Sequence, residues 1–268
     1  MRRLPCVLAM LLPLFVTSAH AGRSEQAHLA SQACVALTFD DGPETTLTPR
    51  LLDILAGEHV HATFFVVGKR LTYSPGLVRR AFQGEHEIGN HTFDHRALTS
   101  LTDDEIVAEI ELTDEAVMTE TGQRPDVIRP PWGLVDARVE RVLRRAGLWR
   151  RQAFWNFDSF DWLDDERYIT SLIVSGAPPG AVILMHDIHA STVAAIPTII
   201  RTLKLRGFRF ATLANLSSCT HGLPTDLASQ TGSSRSFGAS DPSVPFDILH
   251  PLGSIHQLEF YLTHHFGS

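Results

Sequence analysis

Seven short apolar runs alternate with amphipathic segments along most of the chain, and this alternation most limits the possible fold. The runs predict strands at residues 35–39, 62–67, 87–89, 127–129, 152–157, 181–185 and 208–213. The segments between them have helix punctuation, such as the capping box at residues 102–105. Strand-then-helix units with short connections predict a parallel sheet buried on both faces. We expect an α/β fold, a closed or nearly closed barrel of seven β/α units, with an open doubly wound sheet as the alternative.

Candidate reactive residues follow five of the seven predicted strands. They are Asp40 and Asp41, His91 and His95, Arg129 with Pro130, Pro131 and Trp132, Asp158 and Asp161, and His186 with Asp187. Barrels of parallel strands carry their chemistry on the loops that follow the strands. Scattered structural polar residues would not be concentrated in this way, so we expect the five clusters to meet at one end of the barrel.

The sequence Thr-Phe-Asp-Asp-Gly-Pro at residues 38–43 places two carboxylates at the end of the first predicted strand. Neighbouring residues of a strand point to opposite sides, but Gly-Pro forces a turn that can direct both acids into one pocket. There, one acid could bind a metal ion while the other moves a proton. Taken alone, the hexamer could equally be a solvated turn, because Asp-Gly and Gly-Pro are common turn formers.

Two imidazoles, those of His91 and His95, are four residues apart and share one face if their segment is helical. With one carboxylate from residues 40–41 they form a set of two nitrogens and one oxygen. Three protein ligands with an open fourth position are typical of a catalytic zinc site. Thr92 stands where the zinc-protease helix motif requires glutamate, so the base has to be the spare aspartate.

Five motifs resemble, in order and spacing, those of the polysaccharide deacetylase (NodB-homology) family: residues 38–43, 91–95, 129–133, 158–162 and 184–187. The resemblance covers residues 34–216 and implies a distorted (β/α)7 barrel of the NodB-homology type. It also implies a metal-dependent hydrolase that removes N-acetyl groups from polysaccharides or oligosaccharides of N-acetylglucosamine. The implied cofactor is a divalent metal ion, in the first place Zn²⁺, with Co²⁺ or another divalent ion as alternatives.

The resemblance further implies a role for individual residues. Three correspond to metal ligands: Asp41, His91 and His95. Asp40 corresponds to the general base, and Arg129 to the residue that orients it. His186 corresponds to the general acid, held by Asp161.

The same resemblance places five residues at the substrate: Pro130, Pro131, Trp132, Trp162 and Leu184. Trp162 and Leu184 are implied to wall a small pocket for the acetyl methyl group. The family role at Trp132 is a backbone N–H, which could stabilise an oxyanion. The family commonly has Tyr there, so the change to Trp should spare the chemistry and alter the substrate groove.

Two other functions fit the same motifs. An O-acetyl esterase acting on plant-type polysaccharide such as xylan belongs to the same family. A non-catalytic carbohydrate-binding protein on this scaffold is the third possibility, but all five clusters keep the residue types that catalysis needs. The motifs do not identify the polymer, which could be chitin-like, peptidoglycan or an exopolysaccharide.

The first 21 residues predict a secretory signal peptide, because a basic start and an apolar stretch precede Ala19-His20-Ala21. The mature chain should then begin at Gly22, with residues 22–33 as an extension, and be exported to the periplasm or secreted. No later run is long enough to cross a bilayer. Loss of this segment, which contains two arginines and no acid, changes the formal net charge from −7 to −9. Such a charge disfavours nucleic acid and favours a neutral or cationic substrate.

The C-terminal segment, residues 217–268, contains one basic residue, Arg235, and much Ser, Gly, Thr and Pro. This composition predicts a linker or loosely ordered tail. Two cysteines, Cys34 and Cys219, remain in the mature chain. In an oxidising compartment they could form a disulfide or stay as buried thiols.

Overall fold

A computed structural model describes residues 33–219 of the chain. The predicted signal peptide and almost all of the predicted N-terminal extension and C-terminal tail lie outside these residues. Within this part of the chain, no helix is long and apolar enough to span a membrane.

Strands and helices alternate throughout the described residues. The strands are β1 (Cys34–Asp40), β2 (Thr63–Val66), β3 (Glu87–Asn90), β4 (Val127–Ile128), β5 (Arg151–Gln152), β6 (Phe157–Asp158), β7 (Val182–His186) and β8 (Arg209–Phe210). The α-helices are α1 (Leu47–Gly57), α2 (Gly68–Leu71), α3 (Leu77–Gln83), α4 (Asp103–Thr121), α5 (Ala137–Arg145), α6 (Glu166–Gly176), α7 (Ala190–Leu205) and α8 (Leu213–Cys219). Three short 3₁₀ helices follow β3, β4 and β6: Leu98–Ser100, Pro131–Gly133 and Asp161–Leu163.

The strands form a curled parallel sheet in the order β5-β4-β3-β2-β1-β7-β6. β5 and β6 lie at the two ends of this path although they are consecutive in the chain, so the barrel is open between them. β8 pairs with the first two residues of β1. This arrangement confirms the predicted distorted (β/α)7 barrel, rather than an open doubly wound sheet.

The central strand β1 is buried at every position, which explains its continuous apolar run. Alternate residues of β1, such as Leu37 and Phe39, share a core cluster with the helices α1 and α7, whereas Ala36 on the other face belongs to a second cluster with Phe65. The main core contains large buried side chains from all three elements, among them Leu37, Phe39, Leu51, Leu55, Ile196 and Ile199. Because β1 pairs with β2 on one edge and with β7 on the other, the position of the turn that follows Asp40 is fixed by the sheet.

One predicted strand, at residues 152–157, is wrong. The structure divides it into β5, which pairs with β4, and β6, which pairs with β7. Between the two, the carbonyl oxygens of Ala153 and Phe154 accept hydrogen bonds from the Arg129 guanidinium at 3.0 and 3.3 Å. Asn156 Oδ1 accepts from the Val182 backbone N–H at 2.7 Å. Side chains therefore occupy backbone N–H and carbonyl groups that a continuous strand would use to pair with its neighbours.

The end of the barrel is tied to its beginning by a disulfide between Cys34 and Cys219, whose Cα atoms are 5.9 Å apart. Cys219 is the last residue of α8, which continues past the domain boundary expected at residue 216. The last predicted strand is correspondingly shorter than expected, because α8 begins at Leu213, whose N–H donates to Thr63 Oγ1 at 3.0 Å.

Candidate metal centre and active site

Asp41, His91 and His95 bring three potential ligand atoms together, all within 4.8 Å of one another. The Oδ1 atom of Asp41 is 3.4 Å from His91 Nε2 and 3.1 Å from His95 Nε2. This oxygen is buried and accepts no hydrogen bond within residues 33–219. A buried, unsatisfied carboxylate oxygen facing two ring nitrogens is expected where a cation completes the site. The residues therefore fit a divalent metal ion with nitrogen and oxygen ligands.

The protonation states of these residues suit metal binding. Burial opposes ionisation of Asp41, but contact with His91 and the charges of His186 and His95 outweigh it and lower the pKa of this carboxyl. Burial, followed by the charge of His91, lowers the pKa of His95 to about 4. At neutral pH the carboxylate is thus ionised and the His95 ring has a free lone pair.

The tautomer of His91 follows from its second ring nitrogen. His91 Nδ1 lies 2.6 Å from the backbone carbonyl oxygen of Arg129. A carbonyl oxygen can only accept, so we assign the hydrogen to Nδ1, which leaves the Nε2 lone pair directed at the ligand cluster.

The segment that carries both histidines is not helical. The two rings therefore do not meet through the helical spacing that the sequence suggested. Residues 91–97 form an irregular loop, in which Thr92 and His95 adopt left-handed backbone angles, with φ of 66° and 58°. These two left-handed residues change the direction of the loop, and so bring the two rings together with their centroids 4.9 Å apart.

Hydrogen bonds from outside the motif hold this loop in place. Glu109 Oε2, on α4, accepts the backbone N–H groups of Phe93 and Asp94, both at 2.8 Å. The Thr92 N–H donates to Asn90 Oδ1 at 2.8 Å. On the other side, the Gly68 N–H donates to the Thr92 carbonyl at 2.9 Å. The sequence analysis missed both residues. Glu109 could not be found because no short motif connects a helix residue to a loop 15 positions earlier in the chain. Asn90 directly precedes the motif but is not one of its residue types.

Asp40 is held by a hydrogen bond from Arg129. Arg129 is fully buried, and its Nη1 donates to Asp40 Oδ1 at 2.7 Å and to Thr38 Oγ1 at 2.9 Å. The guanidinium also lies 4.1 Å from the centre of the Phe65 ring. The other oxygen of Asp40, Oδ2, is 3.7 Å from His91 Nε2. One oxygen is therefore fixed while the other lies beside the ligand cluster.

His186 and Asp161 form a second pair. His186 Nδ1 lies 2.8 Å from Asp161 Oδ1, and the His186 backbone N–H donates to Asp161 Oδ2 at 2.7 Å. Thr192 Oγ1, on the first turn of α7, also donates to Oδ2 at 2.7 Å and was missed by the sequence analysis. Burial opposes protonation of His186, but the charges of Asp161, Asp41 and Asp40 outweigh it and raise the pKa of His186 to about 10. The ring is therefore protonated at neutral pH and can act as an acid.

Of the predicted substrate residues, the structure shows Trp132 in contact with this cluster. The Trp132 ring meets His95 edge-on, with the centroids 4.5 Å apart, and the backbone of Trp132 has a left-handed φ of 55°. Pro130 and Pro131 lead into the same 3₁₀ turn. Trp162 lies in the 3₁₀ helix after β6, and Leu184 pairs with Asp158 on the strand that ends in His186. Their contacts with a substrate stay predictions.

Asp187 is a buried acid beside the metal-ligand turn. A Cβ atom at Gly42 would overlap its carboxylate, so only glycine leaves space for it. Thr48 Oγ1 donates to Asp187 Oδ2, and burial raises the pKa of Asp187 to about 7. The side chain therefore packs against the turn that carries Asp41.

Comparisons of the sequence and of the structure with known proteins both find polysaccharide or peptidoglycan deacetylases. A family model described as polysaccharide deacetylase matches residues 29–150. A peptidoglycan-N-acetylglucosamine deacetylase of Bacillus cereus is 33% identical over 195 residues, which cover 71% of this chain and 91% of that protein. A second, from Listeria monocytogenes serotype 1/2a, is 40% identical over 183 residues, which cover 68% of this chain but 38% of that protein. The chain thus spans less than half the length of the Listeria relative. The structure of peptidoglycan deacetylase PdaC from Bacillus subtilis superposes with a TM-score of 0.67 at 32% identity and covers 75% of this chain and 96% of that one.

Proposed function

The chain belongs to the polysaccharide deacetylase family, and we propose that it is a metal-dependent hydrolase that removes N-acetyl groups from the glycan of peptidoglycan. One observation carries the proposal: a three-ligand cluster lies beside a carboxylate fixed by arginine, and a histidine kept protonated by aspartate pairs with that carboxylate residue on the neighbouring strand. The choice of peptidoglycan rests on the relatives, whose names give that substrate.

A metal ion held by Asp41, His91 and His95 would polarise the amide carbonyl and make water a stronger acid. Asp40 Oδ2 lies beside these ligands and would take the proton of the attacking water. The hydrogen bond from Arg129 fixes the orientation of Asp40. We assign the Trp132 backbone N–H as a donor to the oxyanion that forms on the former carbonyl oxygen.

Breakdown of the tetrahedral intermediate requires a proton on the leaving nitrogen, because amines leave poorly when unprotonated. His186 would donate that proton as the C–N bond breaks, and the products are acetate and a free amino sugar. Asp161 holds the ring through Nδ1, so Nε2 is the donor atom. This acid favours amide hydrolysis over the O-acetyl esterase alternative, in which the leaving alcohol depends less on prior protonation.

The proposal is tested by acetate release from three substrates: peptidoglycan, N-acetylglucosamine oligomers and acetylated xylan. Zinc-loaded full-length protein should release acetate from peptidoglycan, and Asp40→Asn should abolish the release while bound zinc is retained. Release from xylan alone would favour the esterase, and glycan binding without release of acetate would favour the non-catalytic alternative. We also propose that the protein is exported, since peptidoglycan lies outside the cytoplasm and the Cys34–Cys219 disulfide suits an oxidising compartment.

A further inference from the structure

A cavity of about 450 Å³ opens beside the candidate metal ligand His95 and is lined in part by α2. His95, Pro43, Arg70 and Tyr73 are among the residues that line it. Pockets of about 300–1,000 Å³ are typical of small-ligand sites, so this one can accept a substituted sugar ring next to the metal centre. None of the five family motifs supplies Arg70 or Tyr73.

Two acids and two bases line this cavity, so their formal charges balance, but they are not all paired with one another. The carboxylate of Glu44 accepts hydrogen bonds from the backbone N–H groups of Thr46 and Leu47, at 2.8 and 2.6 Å, at the start of α1. Asp94 forms an ion pair with Lys69 at 2.8 Å. Both acids are therefore committed to other partners.

Arg70 is the cation that remains. Its guanidinium is half-buried and makes no ion pair or side-chain hydrogen bond within residues 33–219, although its charge acts at longer range on the buried Asp187. A guanidinium carries five N–H donors in a planar fork that matches a carboxylate, so an uncommitted one in a cavity favours an anionic ligand.

Tyr73 gives the cavity a second recognition feature. Its side chain is 70% exposed, in contrast to the apolar residues of the core. A tyrosine ring offers a flat apolar face with a hydroxyl at its tip, and can therefore cover one face of a sugar while the hydroxyl remains in water. Tyr73 would contact a glycan whether or not that glycan is charged.

We propose that this cavity, lined by Arg70 and Tyr73, is a subsite for a carboxylate-bearing sugar of the glycan, adjacent to the residue that is deacetylated. The inference rests on the proposed function and refines it, because it makes Arg70 a specificity determinant for anionic over neutral glycans. The acidic net charge of the chain favours neutral or cationic substrates overall, and Arg70 reverses this preference locally. The carboxylate belongs either to the lactyl ether of the sugar itself or to a peptide attached to it.

The test compares kcat/KM of the zinc-loaded full chain for three glycans: peptidoglycan with its peptides, the same strands after amidase removal of the peptides, and neutral N-acetylglucosamine oligomers. Arg70→Gln should lower kcat/KM for the anionic strands about 10-fold, as loss of a charge-assisted hydrogen bond at a half-exposed site predicts. It should leave kcat/KM for the neutral oligomers unchanged. Arg141→Gln, an equal charge change on an exposed residue of α5, is the matched control and should change none of the three.

The pattern of losses distinguishes the outcomes. A loss on the peptide-free strands identifies the lactyl carboxylate as the ligand, and a loss confined to the peptide-bearing strands identifies a peptide carboxylate. Tyr73→Ala should lower kcat/KM for all three glycans. Equal effects of Arg70→Gln on anionic and neutral glycans, or no effect, would overturn the subsite while the proposed function stands. No acetate from any of the glycans would refute the proposed function and the subsite with it.

Discussion

Glu109 should control metal affinity although it is not a ligand. Its buried Oε2 accepts two backbone N–H groups of the loop between His91 and His95, each at 2.8 Å. In Glu109→Ala both donors lose their partner, at about 1–3 kcal/mol each. Water and movement of the loop will relieve part of this cost. Because the loop connects His91 and His95, its movement will displace the two imidazole rings from each other. Loss of supporting hydrogen bonds around a metal site typically costs about 10–100-fold in affinity, and we expect Glu109→Ala to fall in that range.

The assay is a zinc titration against a competing chelator, with the melting temperature of each variant measured in parallel. Glu109→Gln should bind zinc more tightly than Glu109→Ala, because its amide oxygen can still accept from both N–H groups. Glu115→Gln on the exposed face of the same helix removes the same charge and should not change zinc affinity. If Glu109→Ala bound zinc as tightly as the unmodified chain, the loop would not depend on this carboxylate and the reasoning would be wrong.

Three further predictions concern the acid, the disulfide and the N-terminus. His186→Ala should keep its zinc but lose about 10²–10⁴-fold in kcat, whereas His91→Ala should lose zinc and activity together, as metal analysis alongside kinetics would show. Because activity needs protonated His186, the rate should fall as pH rises through the raised pKa of this group, and His186→Ala should lack that alkaline limb. Cys34→Ser should lower the free energy of unfolding by about 2–5 kcal/mol in denaturant titrations, and equal stability of the two proteins would contradict this. Mass spectrometry of exported protein should find Gly22 at the N-terminus, and retention of residues 1–21 would refute the signal peptide.

The sequence allowed prediction of the features that depend on local patterns. A strand that is buried on both faces has a continuous apolar run, and β1 lies at the centre of the sheet for that reason. Parallel strands have their carboxyl ends on one side, so residues that follow different strands can be predicted to meet. This rule requires no knowledge of side-chain geometry, and Asp41 and His91 are indeed neighbours in the structure.

The loop between the histidines could not be predicted in the same way. A spacing of four residues suggests a helix, but the left-handed angles of Thr92 and His95 depend on partners far away in the chain. Glu109 and Gly68 are such partners, and each is recognisable only when α4 and α2 have packed against the loop. The short-range pattern predicted the candidate ligands, and tertiary contacts determine how their side chains converge.

Arg129 contacts both the candidate site and the segment between β5 and β6, where the barrel is open. Its backbone carbonyl accepts from His91 Nδ1, and its Nη1 holds Asp40. Through Nε and Nη2, the same guanidinium binds the carbonyl oxygens of Ala153 and Phe154, where a continuous strand was expected. A buried guanidinium requires this many acceptors, because each unsatisfied N–H would cost free energy. The separation of β5 from β6 therefore supplies acceptors for the arginine that orients Asp40, the proposed base, and the opening of the barrel is part of how the candidate site is built.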